Sequence, residues 1–169
     1  DKHRNYKFLI ENGVLLKTYL ASGWDRIQEI EIPDSVTELS QTAFSNCNVC
    51  YVKRIFIPKT VTTVQNGAFY EFVGEFVVEN SCTSVKYQDD ILYSGDMTRI
   101  IKATGGLKGK PVIIPHGVTE IGAKAFYKME LHSVQLPTTL TYIGKGAFAE
   151  NKLAEISLPE NLLKIEGAA

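Results

Sequence analysis

The chain has 169 residues, 44% hydrophobic and 22% charged, with a formal net charge of -1. That size and composition fit one globular domain with its own core and exclude a disordered polymer. The charge lacks the basic excess that nucleic acid or an anionic membrane surface requires, and no apolar run nears the roughly 20 residues of a membrane-spanning helix.

The first residues, "DKHRNYKFLIENG", are polar and carry no apolar stretch of the signal-peptide kind. Asn12-Gly13, set between the apolar runs "FLI" and "VLL", is a strong hairpin-turn pair. Residues 1–26 are therefore expected to hold an N-terminal hairpin and a truncated first coil.

From Ile32 one phrase recurs: "IPDSVTELSQTAF", then "IPKTVTTVQNGAF" from Ile57, "IPHGVTEIGAKAF" from Ile114 and "LPTTLTYIGKGAF" from Leu136. Pro33, Pro58, Pro115 and Pro137 are each followed 11 residues later by Phe44, Phe69, Phe126 and Phe148. The chain ends within a fifth copy that begins at Pro159. A period in the twenties without helical periodicity predicts a solenoid whose coils stack on their neighbours. Within a coil, "RIFIP" alternates, so Ile55 and Ile57 point inward while Arg54 and Phe56 point out. Proline then ends the strand. The following "VTTV" is expected to turn a corner, with Val61 and Val64 inward and Thr62 and Thr63 free to bond the turning backbone. Gly67-Ala68 bends the chain back and Phe69 plugs the far side. The phenylalanines are expected to form one continuous spine, beside a column of Val36, Val61, Val118, Leu140 and Leu162.

The long interval between Pro58 and Pro115 hides an altered copy. Aligning Phe76 with Ile55 places Val78 on Ile57, Cys82 on Val61 and Val85 on Val64. "KYQDDILYSGDMTRIIKATGG" then replaces the usual return. Within it, "ILY" and "RIIK" flank "SGDMT", which predicts a second hairpin over about residues 86–104. "FLIENGVLL" aligns with "VKYQDDILY", so the N-terminus repeats the same device, and both hairpins are expected to project from one side. Residues 27–169 form the solenoid, in one continuous domain. The last coil, lacking its phenylalanine, is expected to leave an apolar edge exposed or frayed after about Leu158.

The phrase I-x-I-P-x-x-V-T-x-I-G-x-x-A-F resembles the BspA-like class of leucine-rich repeats, from about Arg26 to Ala169. Hairpins of the "DGVLY" type add to the resemblance. Proline follows the strand and no asparagine ladder is visible, which departs from the general leucine-rich pattern. The resemblance implies a mostly β, right-handed leucine-rich-repeat solenoid with short irregular or helical returns and two β-hairpin excursions. It implies bacterial or protist surface or secreted proteins that bind host or matrix proteins. Its alternatives are an intracellular scaffold or regulatory repeat protein, in which free thiols are at home, and an accessory repeat domain of a larger enzyme.

Catalysis finds little to build on. Cys47-x-x-Cys50 has no second pair or histidine pair to make a zinc site, and Cys82 falls in the valine column, so the thiols read as core residues. His3, His116 and His132 are scattered, and no Ser, Cys or acid recurs with triad spacing. "GDMT" lacks the alternating acids of a calcium loop, and "GGLKGK" lacks the context of a phosphate-binding loop. No catalytic residue, metal ligand or cofactor is assigned. The expected role is non-catalytic protein binding through the outward strand face. There Phe56, Val77 and Ile113 would be neighbours at the roughly 4.8 Å strand spacing, with Arg54 and Gln135 as polar edges. The alternative is that the second hairpin folds over them.

Overall fold

Proline and threonine chemistry sets the shape of each coil. The protein is seen here as a computed structural model, which describes residues 6–21, 27–45 and 51–169. It is a β-solenoid of about six turns. Each regular coil carries two short strands on two different faces. The first face comprises β3 (Glu29–Glu31), β5 (Arg54–Ile57) and β7 (Glu75–Val78), then β11 (Val112–Ile113) and β13 (Val134–Gln135). The second face carries β4 (Glu38–Leu39), β6 (Thr63–Val64), β12 (Glu120–Ile121), β14 (Tyr142–Ile143) and β15 (Lys164–Ile165). The "VTTV" segment is thus a turn and then a strand. Its corner is closed by the proline carbonyl, which accepts the amide of the inward residue three positions on: Val36 to Pro33, Val61 to Pro58, Val118 to Pro115 and Leu140 to Pro137. Proline gives up its donor but keeps this acceptor.

Threonine takes the part that an asparagine ladder would play. The Thr37 carbonyl accepts the amides of both Thr62 and Thr63, and the Thr119 carbonyl accepts those of Thr141 and Tyr142. The Thr62 hydroxyl donates to the same Thr37 carbonyl at 3.2 Å and the Thr141 hydroxyl to that of Thr119 at 3.1 Å. Each corner therefore hands its backbone groups to the next coil and leaves few unsatisfied.

The two hairpins are built into the stack instead of projecting from it. β1 (Tyr6–Glu11) and β2 (Val14–Leu20) are antiparallel, and β2 continues in parallel with β4 and β6. The altered coil contributes a three-stranded antiparallel meander, β8 (Val85–Gln88), β9 (Ile91–Ser94) and β10 (Arg99–Ala103), of which β10 runs parallel to β12. The aligned turns match in conformation. Asn12 and Gly13 have φ of 50° and 80°, and Asp89 and Asp90 have 50° and 61°. Positive φ at both central residues is what a two-residue type I′ hairpin turn requires.

The meander divides the interior. Val85, Leu92 and Ile101 face one core together with Phe44, Phe69 and Phe76. Ile91, Tyr93, Ile100 and Ala103 face a second core with Phe126 and Phe148. Alternating side chains of one wall thus serve two interiors. The expected single phenylalanine spine is accordingly two stacked pairs, Phe44–Phe69 with ring centroids 5.3 Å apart and Phe126–Phe148 at 5.2 Å. The reason lies in the altered coil. The Ala103 amide bonds the Ala125 carbonyl as the Phe126 amide bonds that of Ala147, so alanine occupies the phenylalanine place there.

Candidate functional site

The sequence register of the altered copy is the one observed. Ile55, Phe56 and Ile57 are Cα partners of Phe76, Val77 and Val78. Phe56 and Val77 therefore share a rung, with Glu31 opposite Phe56 on β3. Phe56 is half-buried and Val77 is 37% exposed. A shallow groove of about 310 Å³ runs across this rung between Glu31, Pro58 and Glu79. Arg54 pairs with Glu29 at 2.5 Å on the same face and stands opposite Glu75 of β7. Glu79 accepts the Lys59 amide at 2.8 Å, and that bond holds its carboxyl below the usual range.

Ile113 and Gln135 are brought together elsewhere. They are Cα partners on β11 and β13, a separate two-stranded sheet, and Ile113 is 71% exposed. The expected adjacency of Val77 and Ile113 fails because β7 and β11 do not pair. After β10 the chain takes a 3₁₀ turn over Gly105–Leu107, whose Gly105 amide bonds the Val73 carbonyl, and Pro111 has no amide to offer just before β11. The meander does not cover these rungs, since it belongs to the second strand face. The expected patch is thus two separate rungs, Phe56–Val77 on one sheet and Ile113–Gln135 on another.

Among the thiols, Cys82 lies in its expected column, half-buried against the first core with Sγ 3.4 Å from the Ser84 hydroxyl. Cys47, Cys50 and His3 lie outside the described residues. His116 and His132 are exposed. The apolar edge of the last coil is open, with Leu163 84% exposed.

A third feature, at the junction of the two cores, involves residues outside the expected patch. By the same backbone register, Lys102 occupies the place that Ala125 and Ala147 fill in later coils, and it is 2% exposed. Its Nζ donates to the Lys124 carbonyl at 3.4 Å. Burial pushes its pKa down from 10.5 to about 8. Tyr70 and Tyr127 meet across the altered coil with ring centroids 5.1 Å apart, over the small Ala103 and Thr104. The sequence signal was available: a lone lysine in the apolar run "RIIKA", and tyrosine directly after the recurrent phenylalanine in "AFYEF" and "AFYKM".

The model of the BspA type leucine rich repeat region matches residues 14–95 and 106–169 in 6 copies. The chain belongs to the BspA-type leucine-rich-repeat family. A search of curated proteins gives no match. Among solved structures, a leucine-rich repeat protein from Eubacterium ventriosum is 25% identical with a TM-score of 0.66, over 81% of this chain and 37% of its own. The pneumococcal vaccine antigen PcpA is 26% identical with a TM-score of 0.63, over 80% and 40%. A leucine rich cell surface protein from Faecalibacterium prausnitzii shares the fold at 23% identity and a TM-score of 0.58, over 82% and 43%. The chain thus spans less than half the length of each. Among the described residues of this BspA-type chain, no helix is long and apolar enough to cross a membrane.

Proposed function

We propose that this BspA-type solenoid is a non-catalytic protein-binding module of a secreted or cell-surface protein, engaging its partner through the first strand face. The observation that carries this reading is the rung formed by Phe56 and Val77, which presents apolar side chains flanked by the ion pairs Arg54–Glu29 and Lys59–Glu79. Ile113 is a second exposed apolar residue, on the separate β11–β13 sheet. A partner matching it has an apolar anchor with a polar rim able to meet charges of both signs, since depletion of charge at the centre marks protein interfaces. The face is held by paired backbones, so little ordering is lost on association. The likeness to bacterial leucine-rich repeat structures, one of them described as a cell surface protein, supports the placement.

The test is surface plasmon resonance against a panel of purified host extracellular-matrix proteins. For a partner bound by the wild type, Phe56→Asp and Val77→Asp are expected to weaken affinity by about 30-fold or more, the size of an interface hot spot. Ile113→Asp is expected to weaken it less. Unchanged affinity in both Phe56→Asp and Val77→Asp, with folding intact by circular dichroism, would end the assignment of this face.

A further inference from the structure

The junction between the two cores holds a pocket of a different character from the strand face, and none of its residues belongs to the Phe56–Val77–Ile113 surface. It measures about 310 Å³ and is lined by Tyr70, Glu71, Val73, Lys102, Tyr127 and two further lysines, Lys108 and Lys128. That volume stands at the small end of ligand sites. The altered coil creates it: small residues at 103 and 104 stand where other coils place phenylalanine and its neighbour, and the two tyrosines meet over them and wall the pocket.

The charges around it are unequal in how they are satisfied. Lys108 pairs with Glu130 at 2.9 Å, and Lys128 with Glu150 at 3.5 Å. The Tyr127 hydroxyl donates to Glu150 at 2.7 Å, which raises its pKa and fixes the ring. Lys124 lies over Tyr127 at 4.4 Å and over Tyr70 at 5.2 Å. Lys102 has no carboxylate partner among the described residues; its ammonium is buried on one long bond to a carbonyl. A buried ammonium with so little compensation is costly unless an anion completes its shell.

We propose that this pocket binds a small organic anion, a carboxylate or sulfate ester carried on a ring, with Lys102 taking the anionic group and the Tyr70–Tyr127 pair packing on the ring. The paired lysines are offset by Glu130 and Glu150, so Lys102 itself supplies both the attraction for the anion and the charge-assisted hydrogen bond inside. The ring belongs either to an aromatic acid or to an acidic sugar, and the choice of probes separates these.

The full chain is titrated by isothermal calorimetry and thermal melting with benzoate, glucuronate and glucose 6-sulfate, beside the neutral benzyl alcohol and glucose. At least one anionic probe is expected to bind at millimolar concentrations and raise Tm, with its neutral counterpart about tenfold weaker or more. Binding of benzoate alone identifies the aromatic acid, and binding of the sugar acids identifies the carbohydrate. Lys102→Met is expected to lose about tenfold or more in affinity while the exposed control Lys86→Met keeps it. A wild type that binds none of the anions, or a folded Lys102→Met that binds as well as the wild type, overturns the proposal. If Lys102→Met does not fold, the ring resonances of Tyr70 and Tyr127 in the wild type decide it: shifts on titration support the site, and unmoved signals refute it.

Discussion

The Arg99 guanidinium donates to the Val64 carbonyl at 2.8 Å and to the Asn66 side-chain oxygen at 2.9 Å, bridging β10 to β6 where those two strands do not pair. One side chain thus joins the second-face sheets of the two halves of the solenoid.

Arg99→Leu is expected to destabilise the protein by about 1–3 kcal/mol, the size of lost charge-assisted bonds to a partly buried carbonyl. Arg99→Lys should recover less than half, because one ammonium cannot reproduce the forked geometry. Urea denaturation followed by far-UV circular dichroism measures both. Equal stability of Arg99→Lys and wild type would mean the fork contributes nothing.

Because the meander separates two cores, core damage should stay local. Phe44→Ala and Phe126→Ala each remove a fully buried ring from a stacked pair. Each is expected to cost about 3–5 kcal/mol. Hydrogen exchange should quicken mainly in β3–β6 for the first and in β11–β14 for the second, since repeat stability is summed over nearest neighbours. Uniform acceleration along the whole chain in both variants would contradict the partition.

Gly95 is required by a close approach. A Cβ there would lie 1.8 Å from the Thr83 carbonyl oxygen, and the Gly95 amide donates to Ser84 at 2.8 Å. Gly95→Ala is expected to lose about 1–3 kcal/mol through forced displacement of the β9–β10 turn. Gly167→Ala, whose added Cβ meets nothing within 4 Å, should be close to neutral. Thermal melts of the two variants side by side provide the check.

Lys102 gives a pH signature. Its folded pKa of about 8 lies below the 10.5 of a solvated lysine. Below pH 8 the amine is charged in both folded and unfolded chains, so the fold carries the full desolvation cost. Between pH 8 and 10.5 the unfolded chain binds more protons, so stability rises with pH as that cost is removed. Lys102→Met should therefore exceed the wild type by about 2–4 kcal/mol near pH 7, with the gap closing toward pH 10.5. Tyr70, Tyr127, Glu71, Lys108, Lys124 and Lys128 are common to both proteins and cancel in the difference. A gap independent of pH across urea titrations at several values would exclude the buried, depressed amine.

Sequence alone determined the coil. Proline closing each corner, the alternation of Ile55 and Ile57 against Arg54 and Phe56, and the register of Phe76 on Ile55 were all legible. They depend on local periodicity and on which residues lack an amide donor, and these hold wherever the phrase occurs. Tertiary structure decided what the altered coil does. The sequence marked the hairpins at Asn12-Gly13 and in "SGDMT", but whether they project or pair into the stack rests on β2 meeting β4 and β10 meeting β12, contacts between segments some twenty residues apart. The same holds for the break between Val77 and Ile113, the split of the phenylalanine spine, and the burial of Lys102. Each follows from which neighbour a side chain finds across the junction, and hydrophobic pattern fixes the face a residue takes without fixing that neighbour.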